Sequence, residues 1–202
     1  MITKDELASR LLSACAEVKA AEGELTEIDS RFGDADHGLT MCKIATAIEE
    51  SVRESEGGIR AMLDDVAMAV MTLNGGSAVP LWNTWLAGLQ EAAPEGNEAD
   101  SEDLKAMFAN ALAELSDISG AQVGDKTLMD AFVPAIEAIQ ACEGNEAALF
   151  EAAAQAALTG AERSKDFPSK FGRAKSYGEK TIGTPDAGAV SMACFFKGLA
   201  QA

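Results

Sequence analysis

The sequence is poor in aromatic residues, histidine and clustered cysteine. Of 202 residues, 5% are aromatic, one is histidine and four are cysteine. Few aromatic and many alanine side chains favour packed helices over sheets, because alanine is the strongest helix former and strands prefer branched and aromatic residues. Widely spaced cysteines and a single histidine argue against a zinc cluster. We expect reduced, mostly buried thiols at Cys15, Cys42, Cys142 and Cys194.

Positive charge and long apolar runs are also scarce. The chain has 16 basic against 33 acidic residues, a formal net charge of −17. This charge repels phosphate backbones and anionic lipid, so nucleic acid and membrane surfaces are disfavoured as partners. No run approaches the roughly 20 apolar residues of a membrane helix, and the first residues lack the apolar segment of a signal peptide. The prediction is a cytoplasmic protein with no nucleic-acid or membrane partner.

The apolar residues, 48% of the chain, recur at three- and four-residue steps. Together with the chain length, this pattern predicts a single all-α domain over residues 1–202. Thr3 and Glu6 form a capping-box pattern at the first helix, and Pro80 suits the first turn of a later one. Interruptions of the pattern define eight helices, at about residues 3–28, 39–53, 59–73, 80–92, 100–115, 126–141, 146–163 and from 185 onward.

The links between these helices are short, with one exception. Short links make sequential helices antiparallel neighbours, so we predict an eight-helix antiparallel up-and-down barrel or bundle. In this arrangement alternate links lie at the same rim. The shared links are FGDADHG (32–38), NGGSAVP (74–80), SGAQVGDK (119–126) and the long basic segment 164–184, which we call the strap.

The first of these links carries Asp34 and Asp36 beside the only histidine, His37, and Asp29 lies just before it. Carboxylates so close together repel one another unless cations lie between them. Magnesium prefers oxygen ligands and is usually held by one or two carboxylates together with phosphate oxygens. Three aspartates are enough for two ions if one carboxylate bridges. The alternative is a solvated acidic loop.

The other shared links offer parts that bind phosphate. NGGSAVP places small residues before a helix N-terminus, where free N–H groups favour an anion. In GDKT, Asp125 belongs either to the site or to a helix N-cap. The strap carries Arg173, Lys175 and Lys180, which either bind phosphate or are simply exposed to solvent. Together on one rim these segments indicate a metal-bridged nucleotide site. The sequence has no P-loop and no protein-kinase motif, so any phosphoryl transfer would use a different kind of site.

IDSRFGDADHGLTM resembles the aspartate loop of the dihydroxyacetone kinase L subunit family. The resemblance continues at GGSAVPLW, GDKTLMDAFVPAIE and GRAKSYGEKTIGTPDAGA, in family order, and spans nearly the whole chain. It implies an eight-helix barrel that binds ADP or ATP through two Mg²⁺ ions at one rim, in a kinase for dihydroxyacetone or another short ketose. A separate K-type subunit would hold the sugar, and the reaction would be metal-assisted phosphoryl transfer.

The resemblance also implies functions for individual residues. Asp29, Asp34 and Asp36 would hold the metal ions and act in catalysis with His37, which would also contact phosphate. Gly76, Ser77 and Ala78 would offer backbone amides to the phosphates, and Leu128 would lie under the adenine. The full set expected to bind the nucleotide is His37, Thr40, Met41, Gly76, Ser77, Ala78, Gly124, Thr127, Leu128, Arg173, Lys180, Asp186 and Gly188.

The sequence departs from the family pattern at two places. The usual phosphate loop reads G-G-x-S-G-P-L, whereas here Ala78 and Val79 replace its serine and third glycine. If that glycine uses a positive φ, Val79 would be strained. The D-P-G element of the family is replaced by PDAG, with Pro185 ahead of Asp186.

Several alternatives stay open at this level. The nucleotide is either a fixed ADP, recharged by a phosphocarrier of the phosphotransferase system, or an exchanging ATP. The acceptor is dihydroxyacetone or another short ketose, and a homodimer is also possible. Two other classes compete with the kinase subunit: a non-catalytic Mg-nucleotide sensor or regulatory paralogue, which the altered phosphate loop would suit, and an acidic helical scaffold that binds no ligand.

Overall fold

The computed structural model describes residues 1–201 and is built almost entirely of helices, as predicted. Two-residue strands β1 (Ile2–Thr3) and β2 (Glu98–Ala99) pair antiparallel. The strap contains two 3₁₀ helices, Ser164–Asp166 and Arg173–Thr181. The nine α-helices of the described residues are α1 (Lys4–Ala20), α2 (Glu22–Ser30), α3 (His37–Glu54), α4 (Ile59–Met71), α5 (Ala78–Ala92), α6 (Ser101–Ser119), α7 (Met129–Ala141), α8 (Glu146–Arg163) and α9 (Ala187–Gln201).

The predicted first helix is divided in two. The capping box at Thr3 is present, but the helix does not continue to residue 28, because the chain bends at Ala21, where ψ is 0°. The N–H of Ala21 closes α1 by donating to Val18 O at 3.2 Å. Since α2 then packs against α3 rather than continuing along α1, it carries the acidic link to the rim.

Eight of the helices form a closed ring in which sequence neighbours are also neighbours in space: α1, α3, α4, α5, α6, α7, α8 and α9, with α9 returning to α1. The N-terminus of the chain and the links after α3, α5 and α7 contact one another at the end of the ring opposite the acidic link. The links therefore alternate between the two ends, and the predicted antiparallel barrel is confirmed. These contacts join Ile59 N to Gly96 O (2.8 Å), Lys4 N to Asn97 O (2.7 Å) and Met1 N to Glu146 Oε1 (3.0 Å).

The few aromatic residues are concentrated in the barrel core. Trp82, Trp85 and Phe195 form a triangle with ring centroids 5.3 Å apart, and Phe132 and Phe196 extend it. Each of these side chains is at most 1% exposed. Edge-on aromatic pairs of this kind contribute about 0.5–1.5 kcal/mol beyond their buried area. A small aromatic content therefore suffices for a rigid centre.

Differences from the predicted helix starts matter most at α5 and α7. α5 begins at Ala78, two residues before Pro80, and Val79 is helical and buried. The strain considered for Val79 is therefore absent. α7 begins only at Met129, because the GDKT segment forms a turn in which Lys126 has a φ of +60°.

The four cysteines are free, and only Cys15 is buried. The expectation of mostly buried thiols was therefore wrong: the other three are partly exposed, with Cys142 just beyond the end of α7. None of the helices in residues 1–201 combines the length and the apolar character that crossing a bilayer requires.

Candidate functional site

A cavity of about 480 Å³ opens at the rim that carries the acidic link. Residues from all four links predicted to share a rim line it, namely segments within 28–40, 76–82, 118–129 and 169–188. Its volume lies in the range of about 300–1,000 Å³ that is common for small-molecule sites. The cavity is therefore the natural candidate for the functional site.

Three carboxylates converge on one side of this cavity. Asp29 lies in the last turn of α2, Asp34 in the link, and Asp36 directly before α3, and one oxygen of each lies within 4.8 Å of the others. Asp29 Oδ2 accepts hydrogen bonds from the N–H groups of Asp36 (3.1 Å) and His37 (3.4 Å). This set of hard oxygen donors fits Mg²⁺, which prefers carboxylate ligands.

The local backbone explains how the carboxylates meet. A Cβ atom at Gly33 would overlap Asp29 Oδ1, so only glycine allows the chain to pass so close to this carboxylate. Ala35 has a φ of +62°, a left-handed conformation that a non-glycine residue adopts only when its surroundings impose it. The link therefore folds back on itself and places Asp34 and Asp36 near Asp29.

His37 opens α3 and faces the cavity beside the carboxylates. The Ser191 hydroxyl on α9 donates to Gly188 O at 2.9 Å, so it accepts from His37 Nε2 at 3.1 Å. Burial lowers the pKa of His37, while Asp29 and Asp36 oppose this effect. Ser191 thus orients the ring, and the sequence contained no local signal for this contact.

The N-terminus of α5 forms another part of the cavity wall. Gly76, Ser77 and Ala78 line the cavity there, and no side chain caps the first amides of the helix. Uncapped N–H groups at a helix start carry partial positive charge and suit an anion such as phosphate. The rim thus presents carboxylates and a potential anion site to the same cavity.

The GDKT turn is organised by two buried charged residues that had not been assigned to the site. Asp130, 1% exposed, accepts hydrogen bonds from Gly124 N (2.6 Å) and Thr127 N (2.7 Å). Lys126, 4% exposed, donates through Nζ to Ser164 O (2.7 Å) and Thr184 O. Their only signal in the sequence was the spacing of the GDKT-x-x-D block.

Asp125 does not cap a helix, the alternative left open for it. Its carboxylate accepts from Gln122 N (2.8 Å) and pairs with Lys170 on the strap (2.6 Å). Lys170 and the hydrogen bond from Gln122 both lower the pKa of Asp125. Asp125 therefore joins the turn to the strap.

The strap lies over the cavity and contacts the acidic link. Arg173 Nη2 pairs with Asp34 Oδ2 at 2.7 Å, and the rings of Tyr177 and Phe32 are 5.2 Å apart. Gly172, with a φ of +61°, provides the turn before Arg173. The strap thus brings a guanidinium group next to a carboxylate of the acidic cluster.

Asp186 closes the site at the start of α9. Its Oδ2 accepts from Ala189 N (2.8 Å), and its N–H donates to Ser164 Oγ (2.8 Å). Burial raises the pKa of Asp186 to about 7; Asp130 adds to this rise, while the hydrogen bond from Ala189 and the charge of Lys126 oppose it. The group therefore titrates near neutrality in the folded chain.

Most residues predicted for the site line the cavity, but three do not. Met41 is fully buried on the inner face of α3, one residue beyond Thr40. Gly124 donates its N–H to Asp130 and does not line the cavity, and Lys180 is exposed on the strap. The predicted residues among the lining are Asp29, Asp34, Asp36, His37, Thr40, Gly76, Ser77, Ala78, Thr127, Leu128, Arg173, Asp186 and Gly188.

The chain matches a family model described as DAK2 domain over residues 31–201. It is 31% identical over 196 residues to the Escherichia coli protein named PEP-dependent dihydroxyacetone kinase, ADP-binding subunit DhaL, covering 95% of this chain and 93% of that protein. It is 36% identical over 194 residues to D-erythrulose kinase of Mycolicibacterium smegmatis, covering 93% of this chain but 33% of that protein. The chain thus spans about a third of the length of this second relative.

Solved structures show the same fold. The crystal structure of the dihydroxyacetone kinase from C. freundii in complex with AMP-PNP and Mg²⁺ superposes with a TM-score of 0.74 at 25% identity. The match covers 96% of this chain and 33% of that chain.

Proposed function

The chain belongs to the DAK2 domain family, and from this premise we propose that it is the ADP- or ATP-binding subunit of a kinase for dihydroxyacetone or a similar short ketose. The match along 93% of the E. coli ADP-binding subunit supports this proposal. The observation that carries it is the convergence of Asp29, Asp34 and Asp36 on a cavity that also contains the uncapped start of α5.

The three carboxylates would hold two Mg²⁺ ions together with the phosphates of the nucleotide. The co-crystallised AMP-PNP and Mg²⁺ named for the C. freundii relative support a metal-nucleotide pair. When bound, the metal neutralises charge that develops on the transferring phosphoryl group. Asp29 is already oriented by the N–H groups of Asp36 and His37, so the cluster is partly organised in advance.

Other residues of the chain would bind and orient the phosphates. The amides at Gly76, Ser77 and Ala78 can donate to phosphate oxygens, and Ser191 holds His37 at the same cavity. Arg173 can exchange its contact with Asp34 for a phosphate oxygen, because a guanidinium group suits both partners. Such transfer depends on position and electrostatics rather than on a covalent intermediate.

The wall around Leu128 would receive the base. Ile118, Ala121 and Leu81 line the cavity with it and form an apolar surface. A planar aromatic base buries apolar area against such a surface, which favours binding. This arrangement agrees with the place of Leu128 under the adenine that the family resemblance implies.

The acceptor sugar would be held by a separate K-type subunit that docks over the rim. Ile118 and Phe171 are 64% and 39% exposed at the cavity edge, and exposed apolar residues at a rim suit a protein partner. Recharging by a phosphocarrier, a homodimer and a cytoplasmic location belong to the same proposal. The sensor alternative loses its main support, because Val79 is helical and unstrained.

Calorimetry with Mg²⁺ and ADP tests the proposal. Wild type is expected to bind Mg-ADP, and Asp34→Ala is expected to weaken binding at least about 100-fold, because it removes a charged metal ligand. Asp65→Ala, at an exposed aspartate on α4, is the control and should bind as wild type does. Absence of Mg-ADP binding by wild type, or equal binding by Asp34→Ala, would contradict the proposed site.

A test of catalysis separates a kinase subunit from a sensor. Mixed with a K-type subunit, dihydroxyacetone and either ATP or a phosphorylated carrier, the protein is expected to support formation of the sugar phosphate. Nucleotide binding without any transfer in this mixture would favour the sensor.

A further inference from the structure

Lys126 has a buried ammonium group that the proposed chemistry does not use. Its Nζ donates to Ser164 O and Thr184 O, the carbonyl groups at the two ends of the strap. A lysine ammonium has three donors, so two of them are occupied by backbone rather than facing a ligand. One side chain thus joins both ends of the strap to the GDKT turn.

The position is costly for a lysine. Its φ of +60° lies in the left-handed region, and burial lowers the pKa of the ammonium group. Asp186, Asp130 and Asp166 favour the charged form and oppose this loss. A charged residue that is buried in a left-handed backbone conformation is retained only if the surrounding structure requires it, which indicates a specific role for Lys126.

Further hydrogen bonds continue the connection outward from the base of the strap. Gly183 N donates to Lys165 O (2.8 Å), and Ser169 N donates to the Thr181 hydroxyl (2.9 Å). Lys170 N donates to Asp125 O (3.2 Å) in the same turn that carries Lys126. The two halves of the strap are therefore held side by side above Lys126.

Beyond these bonds lies the part of the strap that reaches the acidic link. Arg173 pairs with Asp34 there, and Tyr177 contacts Phe32. A segment of this length has many conformations when its ends are free, and fixing both ends at one point removes most of them. The place of Arg173 over the carboxylates therefore depends on how the ends are held.

We infer that Lys126 is a positioning residue: its ammonium group fixes both ends of the strap and thereby holds Arg173 over the acidic link. The inference rests on the proposed function only in that Arg173 serves the nucleotide. The competing role is a direct contact of Lys126 with the phosphates, since this residue also lines the cavity.

Amide hydrogen exchange of the ligand-free protein tests the anchor. In Lys126→Met the amides of Ser169, Lys170 and Gly183 should exchange at least about tenfold faster, because the hydrogen bonds to the charged group are lost. Amides in the middle of α5 and α6 should keep their wild-type rates. Lys126→Arg, which can still donate to both carbonyl groups, should restore most of the protection.

Lys165→Met is the matched control. This variant also removes one lysine charge, at the N-terminal end of the strap, where Lys165 pairs with Glu162 on the surface. The amides of the strap should stay protected from exchange in Lys165→Met. Unchanged strap exchange in Lys126→Met, or faster exchange spread equally over α5 and α6, would overturn the inference. If Lys126→Met does not fold, amide exchange of the wild-type protein provides the test. Rapid, unprotected exchange at Ser169 and Gly183 in wild type would also overturn the inference.

The dissociation constant for Mg-ADP then distinguishes positioning from direct contact. If Lys126 acts through Arg173, then Lys126→Met, Arg173→Gln and the double variant should each weaken binding by a similar factor, about tenfold. A double variant that shows the product of the two single effects would overturn the inference. Failure of wild type to bind Mg-ADP would contradict the proposed function, while the exchange measurement would still decide the anchor.

Discussion

At the scale of single residues, Asp186 shows how burial makes stability depend on pH. Its carboxylate caps α9 through Ala189 N, lines the cavity and lies near the charge of Asp130. Its pKa is raised from 3.8 in the unfolded reference to about 7. The folded state therefore binds more protons than the unfolded state between these values, and the contribution of Asp186 to stability falls as pH rises through this window.

Replacing Asp186 by asparagine should remove this dependence. Asparagine caps a helix about as well as aspartate, but it carries no charge to desolvate. At pH 8 we expect Asp186→Asn to be more stable than wild type by about 1–3 kcal/mol, with the difference shrinking towards pH 4. Urea unfolding across this range measures it. Asp166→Asn, at an exposed neighbour, is the control, and a difference from wild type that does not change with pH would contradict the prediction.

At the scale of elements, the contact between α2 and α3 determines the geometry of the acidic cluster. Asp29 lies in the last turn of α2 and Asp36 directly precedes α3, so the separation of the helices sets the separation of the carboxylates. A Cβ atom at Gly38 would overlap Glu22 O and the Thr26 hydroxyl. The close approach of the two helices therefore requires glycine at this position.

Gly38→Ala should weaken both the fold and the metal site. The added methyl group pushes α2 away from α3, at a cost of about 1–3 kcal/mol in unfolding free energy. Mg²⁺ binding should weaken with it, because Asp29 moves away from Asp36. Gly23→Ala is a matched control, since a Cβ atom there meets nothing within 4 Å, and it should be neutral or stabilising. Urea unfolding and calorimetry measure the two effects, and equal behaviour of both variants would refute the explanation.

At the scale of the whole molecule, the net charge of −17 opposes the binding of a polyphosphate. Three features of the rim offset this repulsion locally: the uncapped start of α5, Arg173 of the strap and the acidic cluster that fits a cation. A bound cation is needed for polyphosphate binding because the other acidic residues still repel the phosphates. Nucleotide and metal binding should therefore depend on each other.

Thermal unfolding should reveal this dependence. Mg²⁺ with ADP at about 100 times the dissociation constant should stabilise the protein by about 2.7 kcal/mol. ADP with a chelator should give little change, because the bare polyphosphate is repelled. NaCl at matched ionic strength controls for simple screening of the net charge. The same stabilisation by NaCl, or by ADP without Mg²⁺, would contradict the prediction.

Local patterns were enough to predict the helices, the acidic cluster and the sharing of one rim by four links. Caps, glycine turns and apolar periodicity act within a few residues, as at Thr3 and Glu6, where both capping hydrogen bonds form. Alternation of short links then brings the four segments together without further information. The family resemblance added the nucleotide, which spacing alone did not identify.

Contacts between distant residues decided the remainder. Ser191 orients His37 across 154 residues of sequence, and Lys126 joins both ends of the strap. The bend at Ala21 follows from the packing of α2 on α3, and Met41 faces the core although its neighbour Thr40 lines the cavity. Each of these features depends on which helix faces meet in the closed barrel. Local sequence therefore specified which groups gather at the rim, and tertiary packing specified where each side chain points.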